Sequence, residues 1–400
     1  MHAKLILTQV LEPCLCQVHL KRSVALIRAT MGLLCGGVSS LSGIALALAG
    51  GARLKHRVKS VDRLLGNRGL HDLRDELYRQ VAHRWLQGLS RVLVVVDWSH
   101  LSKDQTWQCL RASVVVQGRS VTLYEQAHPQ KKLGNPRVHR EFLKRLAAIL
   151  PQGCRPIVMS DAGFHAPWFK AVREMGWDFI GRVRGRNLLR VGHEGDWTPA
   201  RELYERATGT AHSLGVGEYA RSNPVPVQVV LAKRPNQGRH RLNIYGKKRV
   251  GRSSAKASRA AKEPWLLVYS PGLAHLQPQA VVKLYEQRMR IEQSFRDTKN
   301  LRWGQGLEVS RSRSRLRLEM LLLIAHLASL VQRLIGESAK EHQLELQFMA
   351  TRRKSRAEIS VLTLARRIIN AGDSYLKALL PWLAIPPLTR QAAIACGEAI

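Results

Sequence analysis

The apolar positions along the chain predict a mixed α/β protein whose ends are helical. Residues 1 to about 85 carry apolar residues at helical spacing. The main strand signals are short apolar runs bounded by polar residues, at 92–96, 110–116, 120–125, 156–160, 179–183 and 265–269. The main helix signals have apolar positions three and four apart, at 138–150, 167–175, 277–300 and 316–334.

Two of these strands end in an acid. Residues 92–96 lead into Asp97 and residues 156–160 lead into Asp161. The order between the acids is β-β-β-α-β, with a hairpin turn at 117–119, which is typical of a ribonuclease H-like core. In that core the first and fourth strands lie side by side, so the pattern brings the carboxylates together. Each aspartate alone would more often form a turn or cap a helix.

The helix predicted at 277–300 offers a third acid. At about 100° per residue, the residues that share one narrow face of it are Tyr285, Arg288, Glu292 and Lys299. A lone glutamate beside two cations is equally expected as a surface ion pair. The two aspartates upstream favour instead a catalytic trio of Asp97, Asp161 and Glu292.

The charge of the chain points to a polyanionic partner. Lys and Arg number 64 against 29 Asp and Glu, which gives a net charge of +35. Nucleic acid is the leading candidate, and a membrane surface is the weaker alternative because no basic amphipathic helix dominates the sequence. The six cysteines show no paired spacing and fit reduced thiols, so we expect a cytoplasmic, nucleoid-associated protein.

The N-terminal segment has the pattern of a DNA-reading head. Residues 38–51 contain small residues followed by an apolar helix, and the next sixteen residues are rich in cations. These basic residues are Arg53, Lys55, His56, Arg57, Lys59 and Arg63. The spacing predicts a helix-turn-helix. A basic helical bundle that only packs on the core is the alternative.

Shifts in composition divide the chain into five regions. They are a helical DNA-binding domain at 1–85, the first part of the core at 86–184, a basic β-rich insertion domain at 185–262, the second part of the core at 263–345, and a helical C-terminal region at 346–400 that is a candidate for dimerisation.

Three carboxylates suit metal-assisted phosphodiester chemistry. Two divalent cations about 4 Å apart can activate a nucleophile and neutralise the charge of the transferred phosphate. Hard oxygen ligands favour Mg²⁺, which Mn²⁺ can replace. We expect Asp97, Asp161 and Glu292 to hold these ions, while Arg288 and Lys299 contact phosphates.

These residues resemble a known family. Asp97, Asp161 within SDAGF, and the spaced signature Tyr285-x2-Arg288-x3-Glu292-x6-Lys299 look like the catalytic residues of bacterial insertion-sequence DDE transposases. The transposases of the composite tetracycline-resistance and kanamycin-resistance transposons are the most similar, over essentially the whole chain. The resemblance implies a ribonuclease H-like core with a β-strand insertion, Mg²⁺ dependence and a homodimer that pairs two inverted-repeat ends. A host DNA-bending protein is a further candidate partner.

The resemblance also implies a cut-and-paste reaction. Hydrolysis frees a 3′-OH, which forms a hairpin on the opposite strand and later joins target DNA. In the family, a tryptophan at the position of Trp265 stacks on a flipped base near the hairpin. The resemblance also implies that Tyr285, the first residue of the signature, binds DNA. An ordinary core tryptophan is the alternative. A ribonuclease H-like nuclease or resolvase without strand transfer, and a non-enzymatic chromosome-coating protein, are the competing functions.

Overall fold

The structure is a computed structural model, and it describes residues 2–16, 18–116, 119–192, 194–233, 262–349 and 359–383. The predicted hairpin turn lies partly outside the described residues. So do residues 193 and 234–261 of the predicted insertion domain, and residues 350–358 and 384–400 of the predicted C-terminal region.

The helices are α1 His2–Leu15, α2 Leu20–Leu34, α3 Leu41–Ala47, α4 Leu54–Leu65, α5 Arg68–Asp72, α6 Arg74–Trp85, α7 Pro136–Ile149, α8 Ala166–Glu174, α9 Pro278–Glu286, α10 Arg290–Lys299, α11 Arg315–Glu341, α12 Val361–Ala371 and α13 Asp373–Leu379. The strands are β1 Arg91–His100, β2 Trp107–Val116, β3 Arg119–Pro129, β4 Arg155–Ser160, β5 Asp178–Val183, β6 Leu188–Val191, β7 Trp197–Pro199, β8 His212–Tyr219, β9 Val225–Ala232 and β10 Trp265–Tyr269.

One ten-stranded sheet, in the order β3-β2-β1-β4-β5-β10-β9-β8-β6-β7, carries the fold. The first and fourth strands are parallel neighbours, with Val95 opposite Met159, as the sequence predicts. Strands β2 and β3 pair antiparallel outside β1. The mixed α/β prediction is confirmed, and the order β3-β2-β1-β4-β5 is consistent with a ribonuclease H-like core.

The strands that follow β5 extend the same sheet. Strand β10 is antiparallel to both β5 and β9, and therefore lies between the core and strands β6 to β9. Its side chains are buried from Leu266 onwards, because both of its edges and both of its faces are covered. A separate insertion domain at 185–262 stays a prediction.

The helix predicted at 277–300 is not continuous. A 3₁₀ turn, Gln287–Met289, separates α9 from α10. A 3₁₀ turn winds by about 120° per residue rather than 100°, so the face of α9 is rotated relative to that of α10. The prediction of one continuous helix over 277–300 is therefore wrong at this turn. Three of the four signature residues, Arg288, Glu292 and Lys299, still line one cavity, whereas Tyr285 is buried and does not.

Helix α11 is the central helix of the core. It contacts β3, the N-terminal helix α2 and the late helix α12. Its length and composition would allow it to cross a membrane, but 94% of its apolar window is buried inside the protein. The core helix of a soluble protein has the same properties.

Candidate active site

A cavity of about 510 Å³ opens at the edge of the sheet where β1 and β4 approach α10. Its lining residues are Asp97, Trp98, Ser99, Asp161, Arg288, Glu292, Phe295, Arg296, Lys299, Asn300 and Glu308. The three acids identified from the sequence thus share one cavity. Asp161 directly follows β4, and the neighbouring parallel strand β1 brings Asp97 to the same edge.

Strand β1 does not end at Asp97. It continues to His100 because its antiparallel ladder with β2 runs on to the pair His100 and Gln108. The prediction that Asp97 closes its strand is wrong in this detail. Its carboxylate still lines the cavity, where Oδ1 accepts a hydrogen bond of 2.8 Å from the backbone N–H of Trp98. Ser99, two residues further, lies on the same side of the strand.

A single guanidinium joins two of the acids. Arg288 Nη1 lies 3.2 Å from Asp97 Oδ2, and Nη2 lies 3.0 Å from Glu292 Oε1. The side chains of Arg288 and Asp97 are 12% and 14% exposed, whereas that of Glu292 is 46% exposed. Arg288 therefore partly neutralises the acids in this structure, and Glu292 stands at the open side of the cavity.

Asp97 holds its proton more tightly than a free aspartate does. The pKa of Asp97 is raised to about 7, first by burial and next by the carboxylate of Asp161, although Arg288 opposes both effects. The cavity thus holds more negative charge than Arg288 balances. Binding of a further cation would relieve this repulsion.

We expect Asp97→Asn to stabilise the metal-free protein at high pH. Between about pH 4 and pH 7, the carboxyl group of Asp97 keeps its proton in the folded protein but has released it in the unfolded chain. The contribution of Asp97 to the free energy of unfolding therefore falls as the pH rises through this range. The substitution should therefore raise the free energy of unfolding by about 2 to 4 kcal/mol at pH 8 and have little effect at pH 4. Urea denaturation in EDTA measures both values, with the exposed Asp196→Asn as control. Parallel pH profiles for Asp97→Asn and the wild type would contradict the electrostatic explanation.

The other signature residues lie around the acids in different environments. Lys299 donates a hydrogen bond of 2.6 Å from Nζ to Ser99 Oγ, and burial lowers its pKa. Tyr285 is 3% exposed and does not line the cavity, and burial raises its pKa to about 12. Trp265 is half-buried at the start of β10, with its ring edge-to-face to Tyr285 at a centroid distance of 5.2 Å.

The donor set fits hard divalent cations. It consists of carboxylates, supported by the hydroxyl of Ser99 and the amide of Asn300 in the same cavity. Across the part of the chain that the structure describes, no three His, Cys, Asp or Glu side chains already stand close enough together to hold a metal ion. Asp97 and Glu292 instead share Arg288, which must yield some of these contacts when the acids bind a cation.

The sequence prediction missed three lining residues, Ser99, Asn300 and Glu308, of which the first two could have been found. Ser99 had a signal, since it lies two positions after Asp97 and therefore faces the same way. Asn300 directly follows the signature. Glu308 had none, because it reaches the cavity through a loop whose path depends on tertiary contacts.

The segment predicted as a helix-turn-helix forms the helices α3 and α4, and its role in reading DNA stays a prediction. Arg57 donates hydrogen bonds of 2.7, 2.5 and 2.8 Å to the carbonyl oxygens of Leu48, Gly50 and Ala52, and so braces the turn between the two helices. Lys55, His56, Lys59 and Arg63 are exposed on α4. The basic surface is therefore smaller by one residue than the sequence suggests.

The loop after α10 connects the head to the active site. Asn300 and Glu308 of this loop line the cavity, and the Gln305 carbonyl accepts a hydrogen bond of 2.8 Å from the N–H of Ser39, just before α3. The Gln305 side chain donates to the carbonyl of Ala325 and to the hydroxyl of Ser329, both at 2.9 Å. One short segment thus contacts the head, the central helix α11 and the acids.

Comparison with known proteins finds a family match over the part of the chain that carries the cavity. A family model described as the transposase DDE domain matches residues 88–330, a span that contains all three acids and the whole of β1 to β10. No curated protein matches the chain in a sequence comparison.

Proposed function

Because the chain belongs to the DDE transposase family, we propose that it moves its own insertion sequence by a cut-and-paste route. It binds the inverted-repeat ends as a homodimer, cuts them through a hairpin intermediate and joins the 3′-OH ends to target DNA. The observation that carries the proposal is the meeting of Asp97, Asp161 and Glu292 in one cavity, beside Arg288, Arg296 and Lys299. The net charge of +35 supports a duplex DNA substrate in the cytoplasm, at the nucleoid.

DDE transposases use divalent metal ions, generally Mg²⁺. Asp97, Asp161 and Glu292 would hold two such ions here, and Mn²⁺ could substitute for Mg²⁺. Bound at this site, the ions supply an activated nucleophile and charge neutralisation at the phosphate. The chain's own residues place the substrate. Arg288 and Lys299 bind phosphates beside the scissile bond, and the exposed cations of α4 fix the position of the DNA end.

The test of this function is strand transfer. Purified protein is incubated with Mg²⁺, labelled DNA that carries the flanking ends of its gene, and a target plasmid. We expect nicked, hairpin and joined products in sequence. Cleavage without any joined product would favour the ribonuclease H-like nuclease or resolvase, and DNA binding without cleavage would favour the non-enzymatic protein.

We expect Arg288→Ala or Lys299→Ala to weaken the paired-end complex. Each lost phosphate contact should reduce the slope of log affinity against log salt concentration by about one. A gel-shift titration across salt concentrations measures the slope, with the exposed Arg173→Ala of α8 as a control for loss of general charge. An unchanged slope would mean that Arg288 and Lys299 serve only the acids and Ser99.

We expect Trp265→Ala to slow hairpin closure by about tenfold or more. A bent strand end unstacks a base, and an aromatic platform returns roughly 1 to 3 kcal/mol of that cost, while about 1.4 kcal/mol corresponds to a tenfold change in rate. The first nick needs no flipped base and should stay near normal. A time course of nicked and hairpin products measures both steps.

The control for Trp265 is the conservative Trp265→Phe, which keeps an aromatic face next to Tyr285. It should retain most of the hairpin rate. A core role predicts a different outcome, in which Trp265→Ala lowers the melting temperature and slows nicking and hairpin formation equally.

A further inference from the structure

An ion pair lies fully buried inside the core, outside the cavity of the acids. Arg111 of β2 and Glu125 of β3 are 2% and 1% exposed, and the Arg111 Nε donates to Glu125 Oε2 at 2.7 Å. Burial of two charges costs desolvation energy that their attraction often does not recover. A pair at this depth is therefore a weak source of stability.

The remaining N–H groups of Arg111 point to the helix that carries Glu292. Nη1 donates to Ser294 Oγ at 2.9 Å and Nη2 to Thr298 Oγ1 at 3.1 Å. The guanidinium carbon also lies 4.5 Å from the ring centroid of Phe295. Ser294 and Thr298 are four residues apart and lie on one face of α10. Two hydrogen bonds one turn apart fix both the rotation and the axial position of this helix.

The same arginine stands beside the first acid. In the ladder between β1 and β2, Arg111 is the residue opposite Asp97. Glu125 is held in turn by the hydroxyl of Tyr78 in α6 at 3.1 Å. Arg111 therefore lies next to Asp97 in the sheet and also holds α10 through two hydrogen bonds.

We infer that Arg111, held by Glu125, is a positioning residue that sets the placement of Glu292 relative to Asp97 and so prepares the acids to share divalent cations. Arg111 touches neither substrate nor metal, and it acts through Ser294 and Thr298. The inference rests on the proposed function, because it assigns a metal-holding role to Glu292.

The test replaces both charges, so that no lone charge is left buried. We expect Arg111→Met/Glu125→Leu to fold and to bind end DNA like the wild type. Its affinity for Mn²⁺, measured by electron paramagnetic resonance without DNA, should fall at least tenfold, and the Mg²⁺ concentration that half-saturates end cleavage should rise at least tenfold. A purely structural role would lower the amount of active protein and leave both metal constants unchanged.

A matched control is Arg74→Met/Glu319→Leu. That pair is equally buried, at 4% for each side chain, and joins α6 to α11. It should leave both metal constants unchanged. If the first double variant does not fold, Ser294→Ala/Thr298→Val removes only the acceptors on α10 and should shift the constants in the same direction.

Wild-type metal constants in a folded variant would overturn the inference. Failure of the proposed function looks different, since the wild-type protein itself would then produce no cleaved or joined DNA at any Mg²⁺ concentration. The Mn²⁺ measurement still tests the role of Arg111 in that case, because it needs no reaction.

Discussion

Alanine at Asp97, Asp161 or Glu292 should lower the rates of nicking and joining by about a thousandfold or more. Each carboxylate is expected to hold the ions that stabilise the transferred phosphate, and this stabilisation is worth several kcal/mol, with about 1.4 kcal/mol for each tenfold change in rate. Affinity for end DNA should persist, because it comes mostly from Lys and Arg contacts to phosphates. Labelled end DNA in cleavage and gel-shift assays measures the two properties separately.

The matched control for the acids is Glu308→Gln. Glu308 lines the same cavity, and its Oε1 accepts a hydrogen bond of 3.2 Å from the N–H of Leu301. The side-chain oxygen of a glutamine can accept the same hydrogen bond. Its cleavage rate should stay within about tenfold of the wild type, a difference of 1.4 kcal/mol. An alanine variant of the trio that still cleaves in Mg²⁺ would remove that residue from the catalytic set.

Alanine at Gly304 should destabilise the protein by about 3 kcal/mol or more. A Cβ at this position would lie 2.3, 2.6 and 2.8 Å from the carbonyl oxygens of Asp297, Arg296 and Asn300. These backbone groups form the end of α10, so neither they nor the loop can shift without loss of the hydrogen bond of 2.9 Å from the Gly304 N–H to Asn300. Urea denaturation measures the change.

Gly209→Ala is the control for Gly304, because nothing lies within 4 Å of the added Cβ there. It should leave the urea midpoint nearly unchanged. Equal midpoints for the two variants would show that the loop after α10 is not tightly packed.

The elements that sequence predicts best are those whose pattern is local. The apolar run before Asp161 ends where β4 ends, and residues 265–269 coincide with β10. Both strands are covered on two faces, and a continuous run of apolar residues predicts a strand of this kind. The pairing of β1 with β4 followed from the order of the elements.

Features that depend on a distant partner were not predictable. Strand β1 extends past Asp97 because β2 offers partners as far as Gln108. The sequence holds no sign that Arg111 and Glu125 are buried together, since charged side chains are rarely fully buried. The 3₁₀ turn before α10 contains neither Gly nor Pro, so no residue in it signals the break between α9 and α10.

The contacts of α4 could be predicted only in part. The cations of the segment were visible, but the role of Arg57 depends on three carbonyl oxygens in the turn before it. Composition alone would count every basic side chain of residues 53–63 as available to DNA. Arg57 is not, because its guanidinium is hydrogen-bonded to the backbone of the preceding turn.

The position of β10 in the sheet affects how the chain emerges from the ribosome. Strand β5 ends at Val183, but its partner β10 begins at Trp265. At roughly 5 to 20 residues per second, the 81 residues between these positions (264 − 183) take about 4 to 16 s to synthesise. During that interval one edge of β5 has no β10 to pair with, and such an edge readily pairs with other chains. The unpaired edge of β5 should therefore make the nascent transposase prone to aggregation in this window, before Glu292 has been synthesised.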